Sequence, residues 1–192
     1  MAPLPAAAKD TLFWVCAVLA AVVLALAGPS ERQVMGVVPP VAAQDLNHRP
    51  VALPAALPAE RTLALIAFDR SHSGAVESWI TGLRLRDDAR IAWLRMPVLN
   101  DPGTAAGRDA VESRLQHRFP DTGDRARLVP VFTDRAAFVR AAGLGSTEQM
   151  YAVVLGRGGE VLARAEGWFD ENKAAALRAT LHAEPLYAFL DP

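Results

Sequence analysis

Residues 131–181, VFTDRAAFVRAAGLGSTEQMYAVVLGRGGEVLARAEGWFDENKAAALRATL, decide how this chain folds. Asp134 is a residue that caps helices, and the apolar positions after it predict a short helix to Ala142. Met150 to Leu155 is a continuous apolar run of strand length. Gly156-Arg157-Gly158-Gly159 follows, and then a second strand, Glu160 to Ala165. A tight turn that demands positive φ costs least at glycine, so the two strands are expected to meet as an antiparallel hairpin. Asp170 then caps a last helix that carries Ala174, Leu177 and Leu181 on one face.

Upstream, Thr62 to Phe68 (TLALIAF) is an uninterrupted apolar run that ends in polar residues, the pattern of a buried central strand. The loop Asp69-Arg70-Ser71-His72-Ser73-Gly74 follows it. Val76, Trp79, Ile80 and Leu83 are then spaced for one face of a helix. Arg90 to Leu99 reads as the next strand, and strand–helix–strand order implies parallel pairing through a right-handed crossover. Beyond the turn Asn100-Asp101-Pro102-Gly103, Val111, Leu115 and Phe119 recur at helical spacing and predict a surface-packed helix that ends before Pro120. Asp121 to Arg127 is a polar loop. Leu128 to Phe132 contains Pro130, which makes it a poor central strand and an edge strand or a merely extended piece instead.

These elements occur in an order that resembles a known family. Val131-Phe132-Thr133-Asp134, the helix with Ala137, Phe138 and Ala142, Gly143-Leu144, the strand Tyr151 to Leu155, the glycine turn, Glu160-Val161-Leu162, Gly167 and the final helix resemble peroxiredoxin-like members of the thioredoxin superfamily. The same pattern is similar to the mitochondrial ATP synthase assembly-factor family. The resemblance covers residues 61–181 and implies a thioredoxin-like three-layer α/β/α sandwich, with a mixed sheet closed by a C-terminal β-hairpin. It also implies where thiol chemistry would sit. Thiol-active relatives carry a cysteine near the start of the helix after the first central strand, where amides and the helix dipole favour a thiolate. They also place a cis-proline before the strand that corresponds to Tyr151. Here the loop reads Asp69 to Gly74, and Gln149 and Met150 precede Tyr151, so both elements of disulfide and peroxide chemistry are missing.

The rest of the 192 residues bounds location and partners. Thr11 to Ala27 (TLFWVCAVLAAVVLALA) carries no charge and is a little longer than a signal-peptide core. Residues 1–28 are thus expected to be an uncleaved signal-anchor, a hydrophobic helix through which residues 11–27 hold the membrane. Trp14 near one end suits that reading. Ala25-Leu26-Ala27 before Gly28 allows cleavage instead, and a buried core helix is disfavoured because no partner element is near in sequence. Lys9 before the run puts the amino end in the cytoplasm and the domain on the periplasmic side of an inner membrane, or free in the periplasm if Ala27–Gly28 is cut. Residues 29–60, with Pro29, Pro39, Pro40, Pro50, Pro54 and Pro58, are expected to be an extended linker, although Val51 to Leu57 can dock along the sheet edge. The domain proper is assigned to 61–184 and a tail to 185–192. Cys16 is the only cysteine and lies in the apolar run. An internal disulfide, a thiolate metal site and a dithiol couple are thereby excluded from the rest of the chain.

Charge is balanced, with 20 basic and 21 acidic residues and a net of −1, so no nucleic-acid footprint exists. His48, His72, His117 and His182 share no ligand spacing, and no metal or other cofactor is expected. Arg70, Ser71, His72 and Ser73 are the candidate ligand-binding residues. At a helix start they are either capping and solvated groups or an anion site. Catalysis by the adjacent serine and histidine is disfavoured, because sequence neighbours rarely reach attacking geometry and no G-x-S-x-G elbow is present. His117 and Arg118 complement a helix dipole, and Arg108 and Arg114 belong to a solvated face. The aromatics of Gly167-Trp168-Phe169 are expected to close the core, as are those of Leu186 to Leu190; alternatively the tail docks a partner. The functional expectation is a membrane-anchored, redox-inactive binding or assembly factor for another envelope protein. The alternatives are an enzyme with a non-thiol site near Arg70 to Ser73, or an accessory subunit of a thiol redox partner.

Overall fold

The computed structural model describes residues 34–183. The apolar run 11–27 and the tail after Pro185 lie outside them. Among the described residues no helix is long and apolar enough to cross a membrane.

One five-stranded sheet organises the chain. Its strands are β3 (Arg61–Ala67), β4 (Trp93–Asn100), β5 (Val131–Thr133), β6 (Tyr151–Gly156) and β7 (Val161–Glu166), in the order β5-β4-β3-β6-β7. β3 and β4 pair in parallel, with Leu63 opposite Trp93 and Leu65 opposite Arg95. β5 joins β4 in parallel at the edge, one of the two placements that Pro130, just before it, leaves open. β6 runs antiparallel to β3, and β7 to β6. The glycine turn closes the β6–β7 hairpin, with Gly159 at φ +89° and its amide donating to the Gly156 carbonyl at 3.0 Å.

Helices α1 (Ser73–Gly82), α2 (Ala105–Arg118) and α5 (Glu171–His182) are joined by the short α3 (Thr122–Ala126) and by α4 (Arg135–Ala141). Caps fix their starts as their residue types predict: Asp134 Oδ1 accepts from the Ala137 amide, and Asp170 Oδ1 accepts from those of Asn172 and Lys173. Leu63 and Leu65 of β3 pack with Val76, Trp79 and Ile80 of α1 and Leu177 of α5 on one face of the sheet. On the other face Ala64 and Ile66 pack with Phe138 and Val139 of α4 and with Ala142 just after it.

Two expected boundaries move. The strand read as Arg90 to Leu99 starts at Trp93, because Asp88 Oδ1 accepts from the Arg90 amide at 3.0 Å and turns the chain there. The stretch expected to be an extended linker up to residue 60 is folded onto the domain from residue 34. β1 (Val41–Gln44) and β2 (Pro50–Leu53) form an antiparallel hairpin, and Val38, Leu46, Leu53 and Leu57 are buried. Val51 packs on the α4 face of the sheet rather than along an edge. The prolines blocked helix but not this arrangement, since Pro50 opens a two-stranded ribbon where its missing N–H costs little. Residues 35–38 instead flank the start of β7: the Val161 amide donates to Gly36 O at 2.8 Å, and Met35 N to Val161 O at 3.0 Å. Gly36 and Gly143 make this crossing possible, because a Cβ on Gly143 would lie 1.9 Å from the Met35 carbonyl oxygen.

Candidate functional site

Three segments converge at the carboxyl end of β3, the end at which open α/β sheets place ligands. They are the loop from Asp69 into α1, the stretch Gly145 to Met150 before β6, and Gly167-Trp168-Phe169 after β7. Arg70–His72 form a single 3-10 turn, and Ser73 begins α1. Asp69 caps the turn by accepting from the Ser71 amide at 2.8 Å. That hydrogen bond, more than any neighbouring charge, holds its carboxyl below the usual carboxylate range.

The four candidate residues do not act as one group. His72 is half-buried and faces inward: its Nδ1 accepts from the Phe68 amide at 3.2 Å, and its Nε2 lies 3.1 Å from the Glu148 carbonyl oxygen. This pattern needs a lone pair on Nδ1 and a proton on Nε2, so both ring nitrogens are committed to backbone groups. The histidine therefore ties two loops together and is not placed as a base for either serine. Ser71 and Ser73 are exposed. Gln149 and Met150 precede β6, and the one cis peptide among the described residues is Leu53–Pro54. No described group of three or more His, Cys, Asp or Glu side chains could hold a metal ion.

Along one flank of α1 the third segment is fixed by specific contacts. Trp79 Nε1 donates to Gly167 O at 2.8 Å, and the Phe169 amide donates to Ser78 Oγ at 3.0 Å. The Phe169 ring meets Trp79 edge-on at 5.3 Å between centroids. Gly74 and Gly82 leave the room: an added Cβ would lie 2.9 Å from Trp168 and 2.6 Å from the Phe169 ring, respectively. Phe169 closes the core as expected, whereas Trp168 rests on Gly74 and is 65% exposed.

The other flank of α1 is open. Between α1 and α2, over β3 and β4, lies a groove of about 740 Å³. Leu65, Ala67, Pro97 and Leu99 form its floor, and Val76, Val111, Leu115 and Phe119 its sides. Of the candidate residues, Arg70 and Ser73 line it and Ser71 and His72 do not. Arg95, Arg114, His117 and Arg118 also line it, against a single acid, Asp69. Arg95 was missed in the sequence because it stands inside an apolar strand. It is 8% exposed, its guanidinium lies over the Phe119 ring at 5.1 Å, and one Nη donates to Glu77 at 3.2 Å. Its buried Nε–H has no acceptor among the described residues. Burial pulls its pKa below the usual guanidinium value and Glu77 partly restores it, yet a guanidinium stays charged at any physiological pH.

No family model matches the sequence, and neither does any curated protein. Solved structures do. A putative electron transfer protein of Aquifex aeolicus VF5 superposes with a TM-score of 0.55 at 12% identity, covering 83% of this chain and 100% of its own. BsSco, a member of the Sco family of cytochrome c oxidase assembly proteins, superposes at 0.52 with 14% identity, over 78% of this chain and 95% of its own. At these identities the likeness is one of fold. The sheet order, the capped helices and these neighbours show a thioredoxin-like fold, with Ser73 where the helix after the central strand begins.

Proposed function

We propose that this chain is a membrane-anchored binding protein whose redox-inactive thioredoxin-like domain assists the assembly or maturation of another envelope protein. One observation carries the reading: at the helix start where the fold's chemistry is expected, the loop Asp69 to Gly74 holds no thiol and both nitrogens of His72 are bonded to backbone groups. A serine without a base is a poor nucleophile. What the convergence of loops offers instead is recognition surface, with Trp168 exposed where its ring rests on Gly74, an aromatic of the kind that anchors many interfaces. The Sco-family neighbour is itself an assembly protein, which favours this role over an enzymatic one. Residues 11–27 would hold the chain in an inner membrane with the domain on the periplasmic side.

Site-specific photocrosslinking in membranes tests the reading. A crosslinker at Trp168 should capture one discrete partner, and a crosslinker at the exposed Ala42 of β1 should not. Equal capture from both positions, or none from Trp168, rejects docking at this face.

A further inference from the structure

We infer that the groove between α1 and α2 binds an amphipathic carboxylate, a flexible apolar chain whose acid group pairs with Arg95 on the floor. Two independent features point there. The first is α2 itself: among its residues Glu112 alone is buried, and Val111 and Leu115, its apolar positions, face the groove instead of the core. The helix is held by polar contacts to the β1–β2 hairpin, Gln44 Nε2 donating to Glu112 at 2.7 Å and Gln116 Nε2 to the Leu46 carbonyl at 2.9 Å. Its apolar stripe is therefore available to a ligand. The second is the Arg95 guanidinium, buried at the floor with an Nε–H lacking an acceptor among the described residues. A buried donor without a partner is costly, and a carboxylate supplies two acceptor oxygens in the geometry a guanidinium matches.

Charge fits an anion, because Arg70, Arg95, Arg114 and Arg118 converge on one groove of a chain whose net charge is −1. Shape favours a simple chain over a peptide. The floor is made of β3 and β4, whose backbone groups are spent on strand pairing, so a peptide laid there would bury its own N–H and C=O groups without partners. An acyl chain brings no such groups. The volume lies within the usual range of small-molecule sites. This site is separate from the Trp168 face, and the inference stands or falls independently of the docking role.

The test is calorimetric titration of the full chain in lipid nanodiscs with octanoate, subtracting empty nanodiscs, beside acetate as carboxylate without chain and octanol as chain without carboxylate. Octanoate should saturate one site, and acetate and octanol should bind at least about tenfold more weakly. Arg95→Gln should weaken octanoate by about tenfold or more. Because Arg95 is buried and its loss can disturb folding, Leu115→Asp gives a second reading at a half-buried position on the groove wall: it should abolish octanoate binding while the melting temperature stays near that of the parent. Octanol binding as tightly as octanoate overturns the inference, and so does octanoate binding that survives Leu115→Asp. An acetylated, amidated Leu/Glu peptide that binds where octanoate does not would make the groove a protein-docking site and overturn it too.

Discussion

α1 has two flanks, and they are built on opposite terms. Towards α5 it meets the edge-on Trp79–Phe169 contact, two hydrogen bonds to the 167–169 segment, and a helix that buries Ala174 and Leu177. Towards α2 it meets a groove, and α2 buries no apolar residue. Both neighbours are capped helices over the same sheet face. The difference teaches that α5 belongs to the core, whereas α2 is a wall held at a distance by Gln44 and Gln116. Stability should therefore be concentrated on one flank and binding on the other.

Mutations on the two flanks can break that contrast. Trp79→Ala removes a fully buried ring and its indole hydrogen bond, and should cost about 3–5 kcal/mol in urea unfolding of the full chain; a loss below about 1 kcal/mol would deny the α5 flank its role. Gly82→Ala should cost about 1–2 kcal/mol, since the new methyl meets the Phe169 ring at 2.6 Å, more than the gain in helix propensity returns. Gly74→Ala sharpens the point: its methyl meets the exposed Trp168, which can swing away, so stability should change by less than about 0.5 kcal/mol while Trp168 fluorescence shifts. On the other flank, Leu115→Asn should cost less than about 1 kcal/mol. A loss as large as that of Trp79→Ala would mean α2 is core after all.

The smallest effect concerns acid. Asp88 accepts from the Arg90 side chain and then its backbone, and its pKa falls from 3.8 to about 2. A carboxyl depressed in the folded state stabilises above its unfolded pKa, and that contribution is lost as pH falls through the folded value. Asp88→Asn should flatten the pH dependence of the melting temperature between those two values and leave neutral pH almost unchanged; an unchanged acid slope would show the contact is not held in solution.

What the sequence revealed follows the same division. The elements from Thr133 to Leu181 were legible because caps, strand runs and a glycine turn act locally, and Asp134, Gly159 and Asp170 do in the fold what their residue types favour. The β1–β2 ribbon was not legible. Its prolines mimic a linker, and the burial of Val38, Leu53 and Leu57 depends on a sheet face supplied by distant strands. The loop residues were singled out as a group, but nothing local told that His72 turns inward to Glu148 while Arg70 lines a groove. Arg95 was hidden for a further reason. A lone arginine in an apolar strand reads as a tolerated interruption until the strand register and the gap beside α2 set it on a floor.

The central proposal is a thioredoxin-like fold that works without thiol chemistry. The most direct measurement is turnover of insulin disulfide and of hydrogen peroxide by the full chain, set beside Cys16→Ser, which removes its only cysteine. The account predicts rates indistinguishable from buffer for both proteins. Turnover that Cys16→Ser abolishes would contradict it.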